Sequence, residues 1–158
     1  MRYRDIFVRE GRFHGVALLY HGTRADLALE IFRDGMLKPL TVCDIDGKSV
    51  KGVSLTRSVG FASVYNDIIL GFDAARVREA FRGRLKPYVD PQIGNSPTVH
   101  ADYRREAEEF LIGPLPLNGF LRAFWINETP NYIIEPAERA QLTAHPLYVG
   151  PMKNMWKS

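Results

Sequence analysis

The chain has 158 residues, 46% of them apolar and 25% charged, with a formal net charge of +3 and one cysteine, Cys43. That length suits one folded domain with a real core, and the balance of residue types excludes a disordered polar chain. A lone cysteine excludes an internal disulfide and a cysteine-based zinc site, and no run approaches the ~20 apolar residues a membrane helix needs.

No secretory-type apolar run follows the first residues, so an intracellular, cytoplasmic protein with no membrane partner is expected. Repeats and low-complexity linkers are absent, which argues for a single domain over residues 1–158. The mild positive charge tolerates an acidic ligand or a nucleic acid without demanding either.

In chain order, residues 16–20 are continuously apolar up to Tyr20 and read as a buried strand that delivers His21 and Gly22 to its end. Thr23, with Asp26 three residues on, reads as a capping box for a helix carrying Leu27, Ala28 and Ile31 inward. Gly35 stands where such a helix ends. Residues 40–51 read as a polar excursion around Asp44, Asp46 and Gly47. A strand follows over 53–56, with Ser58 capping a helical turn that ends near Tyr65. Residues 68–72 are another strand, and Asp73 caps a helix to Arg82 with Ala74, Val77 and Phe81 inward, stopped by Gly83. Residues 84–105, rich in proline and glycine, read as a long loop of functional character. Residues 109–112, 120–127 and 132–134 read as strands, the last two facing each other across 128–131, and 136–144 as a terminal helix. The expected class is α+β with mainly antiparallel pairing.

Three segments carry chemistry. In Leu19-Tyr20-His21-Gly22-Thr23, the histidine offers a polar ring at a strand end. The glycine lets backbone amide and carbonyl approach a ligand, which suits a carboxamide because it needs one donor and one acceptor. Structural duty alone would also explain a lone histidine there. In Gly52-Val53-Ser54-Leu55-Thr56-Arg57-Ser58, the alternating hydroxyls of Ser54, Thr56 and Ser58 share one strand face and could line a cleft. They would equally suit a half-exposed edge. Tyr65 offers an aromatic face for a flat ring. Arg57 is the best candidate for a pyrophosphate partner. The third segment, Glu106-Ala107-Glu108-Glu109-Phe110-Leu111-Ile112, sets glutamates before a strand apolar on both faces. A carboxylate there stabilises developing positive charge on a sugar, or is simply a solvated strand end. Alternation sends Glu108 and Glu109 to opposite faces, so only one of them can react. The cations Arg76, Arg78, Arg82, Arg84 and Lys86 read either as a solvated helix face or as phosphate contacts.

The ordered set of a histidine strand, a serine and tyrosine segment and a glutamate strand, over residues 16–112, resembles the ADP-ribosyltransferase superfamily. Its first segment is most similar to the poly(ADP-ribose) polymerase-like branch with a His-Gly-Ser/Thr motif. The resemblance implies a pair of mainly antiparallel sheets around an NAD cleft, with short flanking helices. It implies NAD as co-substrate, no metal, and mono-ADP-ribosyl transfer to a macromolecular acceptor by a compact enzyme of the bacterial or phage kind. A protein acceptor is expected ahead of a nucleic acid.

By the same resemblance, Tyr20, His21, Gly22, Thr23, Ser54, Thr56, Arg57, Ser58 and Tyr65 bind NAD. His21 would hold the adenosine-side ribose, the Gly22 backbone the carboxamide, and Tyr65 the nicotinamide ring. Ser58 would contact the carboxamide or support the glutamate. Glu109, or Glu108 with Glu106 as partner, would bind the 2′-hydroxyl of the nicotinamide ribose. The stretch 90–105, with His100, Asp102 and Tyr103, would help choose the acceptor. Ser54 stands where the polymerase-like branch usually has tyrosine, which leaves the nicotinamide sandwich one-sided. Alternative readings are an NAD glycohydrolase, an RNA 2′-phosphotransferase, which needs no glutamate, and a non-catalytic NAD- or ADP-ribose-binding module.

Overall fold

A computed structural model describes residues 12–43, 49–57, 59–63, 66–88, 108–128 and 133–153. Strand β1 (Arg12–Phe13) turns into β2 (Val16–Thr23) through His14 and Gly15, both at positive φ, the geometry that two-residue hairpin turns require. Helix α1 (Ala25–Asp34) follows, then β3 (Met36–Leu37), β4 (Leu40–Cys43) and β5 (Ser49–Thr56). Helix α2 (Val59–Ser63) leads to β6 (Ile68–Asp73), α3 (Ala74–Ala80), β7 (Leu85–Tyr88) and β8 (Glu108–Ile112). The chain continues through β9 (Leu115–Pro116), β10 (Leu121–Ile126), α4 (Pro136–Thr143) and β11 (Tyr148–Pro151). This is an α+β architecture with mainly antiparallel pairing.

The strands link in the order β11-β10-β6-β2-β5-β8-β7, with β1 on β2 and β4 on β5, while β3 and β9 form a separate pair. The central joint is narrow. β2 pairs with β6 over six residues, from Leu18↔Asp73 to Thr23↔Ile68, but with β5 only at Tyr20↔Thr56. Two antiparallel groups, one built on β2, β6 and β10 and the other on β5, β8 and β7, thus meet at one residue pair.

Apolar residues on alternate strand positions form two cores. Leu19, Leu55, Leu70, Phe72, Leu111 and Phe124 lie in the larger one, which α1, α3 and α4 help cover. Leu18, Tyr20, Ile69, Trp125, Val59 and Ala62 form the smaller one under α2. All six residues of β6 are buried, as expected for a strand covered on both faces.

Several local expectations change. Thr23 does not cap α1: it is the last residue of β2 and 6% exposed, and the N-cap residue is Arg24, which makes no side-chain cap. The capping acceptor comes instead from 42 residues away, where Asp67 Oδ2 takes the Ala25 N–H at 3.1 Å. Asp26 pairs with Arg24 at 2.9 Å. Leu27 is 45% exposed, so α1 packs through Ala25 and Ala28, with Leu29, Ile31 and Phe32 alongside. Gly35 ends the helix at φ 72° as the sequence requires. Much of the expected excursion over 40–51 is a hairpin, β4 against β5 from Leu40↔Gly52 to Cys43↔Ser49. The first residues of the expected long loop form β7; Pro87 is tolerated because β7 is the outermost strand of its group. No strand forms at Ile133 and Ile134, and Ile133 is 91% exposed. The second neighbour of β10 is β11, paired in parallel.

The Asp73 cap holds. Its Oδ1 accepts the Arg76 N–H at 3.1 Å, and its Oδ2 accepts Arg122 Nε and Nη2 at 3.1 and 2.9 Å. Burial pushes its carboxyl up, but the Arg76 backbone N–H and the Arg122 guanidinium outweigh it and leave the group below its ordinary value. A cap of this kind contributes about 1 kcal/mol to stability.

Candidate active site

The site grows out of the narrow joint. On the edge of β5 away from β8, β4 occupies residues up to Gly52, and β2 meets Thr56. Residues Val53, Ser54 and Leu55 between them face no strand on that edge among the described residues. On the other side of this window, β2 continues through His21, Gly22 and Thr23, which pair only with β6. The His21 ring spans the gap: its Nδ1 lies 2.7 Å from the Ser54 carbonyl oxygen.

That one bond orients the rest. A carbonyl can only accept, so Nδ1 carries the proton and Nε2 is left as an acceptor. Burial lowers the His21 pKa from its ordinary 6.5, offset in part by the Ser54 carbonyl, so the ring is neutral near pH 7. Because the Ser54 carbonyl points into the window, its N–H does too, and so do the backbone groups of Thr56 two residues on. Thr56 and Tyr20 are therefore the hydrogen-bonded kind of pair. By the same alternation the N–H and C=O of Gly22 face the window. A donor and an acceptor from Gly22 thus stand opposite the Ser54 N–H, with His21 between.

The expected site residues separate by accessibility. His21, Gly22, Ser54 and Arg57 are half-buried, and so remain open to a ligand. Tyr20, Thr23 and Thr56 are 1%, 6% and 5% exposed. Tyr20 packs against Trp125, 6.3 Å between ring centroids, and burial pushes its phenol up, so its side chain belongs to the core. Its contribution to the site is its place in the ladder beside Thr56.

Gly22 has a steric reason the sequence did not reveal. A Cβ there would overlap the Ala62 carbonyl oxygen and the Asn66 side-chain amide. Those two groups bond each other at 2.9 Å, and Asn127 ties the same corner down by donating to the Ser63 and Asn66 carbonyls at 3.1 and 3.0 Å. Neither Asn66 nor Asn127 stood out in the sequence: Asn66 acts through the Ala62 carbonyl four residues back, and Asn127 through carbonyls more than sixty residues away.

Arg57 directly follows the Thr56 joint. Its Nε is fully buried and finds no acceptor among the described residues. A buried donor without a partner costs about 1–3 kcal/mol, so a bound anion would supply what the fold does not.

Glu108 and Glu109 open β8, and only their backbone register is described. Glu108 stands opposite Thr56, in line with the joint to Tyr20, and Glu109 stands opposite the fully buried Leu55. Ser58, Tyr65, Glu106 and residues 90–105, with His100, Asp102 and Tyr103, lie outside the described residues. No group of three or more His, Cys, Asp or Glu among the described residues has the arrangement of a metal site, and no described helix is long and apolar enough to cross a membrane.

The two neutral histidines link stability to pH. His145 stacks on Phe32 at 4.4 Å, accepts the Leu147 N–H on Nδ1 at 3.1 Å, and has its pKa lowered by burial. A histidine depressed in the fold binds protons more readily when unfolded. The stability this contributes is complete above pH 6.5 and is lost as pH falls below it through the folded values. Urea midpoints measured from pH 7.5 to 5 should therefore decline below 6.5, and His145→Gln should flatten that decline.

Comparison with protein-family models, curated proteins and solved structures returns no match to this chain. The functional reading therefore rests on the window itself.

Proposed function

We propose that the chain is an NAD-dependent mono-ADP-ribosyltransferase that uses the β2–β5 window to hold the nicotinamide end of NAD. The observation that carries this reading is the gap in the sheet beside Ser54, bridged by a neutral His21. It favours a planar amide-bearing ligand, since Gly22 offers a donor and an acceptor at one place. The orphaned Arg57 Nε, at the end of the same strand, favours an anionic group such as a pyrophosphate, which arginine binds through charge-assisted hydrogen bonds.

In this reaction the bond between the nicotinamide nitrogen and ribose C1′ breaks, and its electron pair stays on nicotinamide. The positive charge moves from the ring to an oxocarbenium-like sugar. A β8 glutamate, bonded to the 2′-hydroxyl, stabilises that charge where it develops. A lone pair on the acceptor then forms the new C1′ bond, and the acceptor's proton passes to solvent. His21 contributes as a neutral acceptor at Nε2 for a ribose hydroxyl.

The test is incubation with NAD labelled on its adenylate. Label entering macromolecules supports transfer. Free nicotinamide without label incorporation would replace it with a glycohydrolase, and NAD binding without either would replace it with a binding module. Arg57→Gln gives an independent check on the ligand. Removing an unpaired buried donor should leave thermal stability unchanged or slightly higher. NAD affinity should fall about 10- to 100-fold, the worth of one charged hydrogen bond. Equal affinity in calorimetric titration would remove Arg57 from the site.

A further inference from the structure

Helix α2 has five residues, too few to hold itself by its own hydrogen bonds. The helix ends at Ser63, so the Ala62 and Ser63 carbonyls take their donors from outside it. Two asparagines supply them. Asn66 Nδ2 donates to the Ala62 carbonyl at 2.9 Å, and Asn127 Nδ2 donates to the Ser63 and Asn66 carbonyls at 3.1 and 3.0 Å. A side-chain amide has two N–H bonds, so Asn127 uses its full donor capacity on this corner.

Asn127 is itself held by its main chain. It directly follows β10, is 5% exposed, and its N–H donates to the Asp67 carbonyl at 2.6 Å. The Asp67 side chain in turn accepts the Ala25 N–H at the start of α1. One buried residue thus joins the end of β10 to the α2 corner and, through Asp67, to α1.

That corner forms the back of the window. A Cβ at Gly22 would overlap both the Ala62 carbonyl oxygen and the Asn66 amide, so the bare Gly22 backbone rests directly on them. Gly22 pairs with Ile69, and its own N–H and C=O face the window rather than β6. β6 holds this strand end along one edge, through His21 and Thr23. Displacement of Gly22 out of the sheet is limited by the α2 corner. The same displacement changes the distance from the Gly22 donor and acceptor to the Ser54 N–H opposite. A carboxamide satisfies both Gly22 groups at once, donating to the carbonyl and accepting from the N–H. A carboxylate has no proton to donate and sets a charged oxygen against that carbonyl.

We infer that Asn127 is a positioning residue for the window: by pinning the α2 corner behind Gly22 it fixes the Gly22 donor–acceptor pair, and with it the preference for a carboxamide over a carboxylate. This deepens the NAD reading and rests on it. Asn66 carries the effect from Asn127 to the Ala62 carbonyl.

The test is calorimetric titration of the full chain with NAD and with its analogue bearing nicotinic acid in place of nicotinamide. Wild type should prefer NAD by about tenfold or more, the worth of one well-placed hydrogen bond. Asn127→Ala should bring that ratio to within about threefold of unity, at a temperature where the variant is fully folded by circular dichroism. Asn66→Asp should do the same by a separate route, because Asn127 bonds the backbone of residue 66 and keeps that bond. This second variant decides the matter if Asn127→Ala does not fold. Asp73→Ala, which removes the α3 cap away from the window, should lower the thermal midpoint and leave the ratio unchanged. A lowered midpoint with an unchanged ratio in the asparagine variants would make their role structural only and overturn the inference. Equal wild-type affinity for the two dinucleotides would overturn it while leaving NAD binding in place. Binding of neither by wild type would remove the transferase reading and this inference together.

Discussion

Gly22→Ala should lower the thermal midpoint by about 6–12 °C, corresponding to roughly 3 kcal/mol in a domain of this size. The cause is local and steric. The new Cβ would meet the Ala62 carbonyl oxygen, a backbone atom fixed by the Asn66 and Asn127 bonds, so relief requires α2 to move off β2. Moving α2 disturbs Val59 and Ala62 against Tyr20 in the smaller core. A calorimetric scan checks the prediction; a midpoint within 2 °C of wild type would show that α2 yields freely. The variant also separates two duties of this glycine. Its backbone groups face the window while its Cα faces α2, so the fold requires glycine there whether or not a ligand does. NAD affinity of the folded fraction then reports whether moving α2 also distorts the window.

Glu109→Gln should reduce ADP-ribosyl transfer by about 10²–10³-fold while NAD binds within a few-fold of wild type. On the transferase reading, the substitution keeps size and hydrogen-bonding shape but removes the charge that would stabilise the sugar cation, a loss confined to the transition state. Glu108→Gln should retain most activity. Single-turnover transfer from labelled NAD decides between them. The reverse pattern would assign the role to Glu108, which stands in register with Thr56 and the joint to Tyr20. Full activity in both variants would sink glutamate catalysis altogether.

Much of the frame was readable because local signals agreed with one another. The apolar runs of β2 and β6, the Asp73 cap and Gly35 each point one way whatever surrounds them. The misread parts are those where distant groups overrule local chemistry. Thr23 looks like a cap, but Asp67 arrives from across the fold to do that work. Polar turn residues near Asp44 and Asp46 hid the β4–β5 hairpin, and Pro87 hid β7, because proline argues against a strand unless that strand is an edge. Tyr148–Pro151 contains glycine and proline and gives no strand signal, yet it completes β10 on its far side. At the site, His21 and Gly22 were legible as a motif. The window was not, since a gap between two strands is a property of their pairing and leaves no trace in either sequence. The buried, partnerless Arg57 Nε was invisible for the same reason.

The interleaving of the two strand groups has a further consequence. Along the chain, β1 and β2 belong to one group, β4 and β5 to the other, β6 to the first, β7 and β8 to the second, and β10 and β11 to the first again. A cut anywhere between Thr56 and Leu121 therefore leaves at least one group short of a strand. The two groups share only one ladder rung, yet neither can be inherited, expressed or unfolded as a module of its own. During synthesis, both strands that border the window have emerged by Thr56, but β5 gains its neighbour β8 only once about two-thirds of the chain has been made.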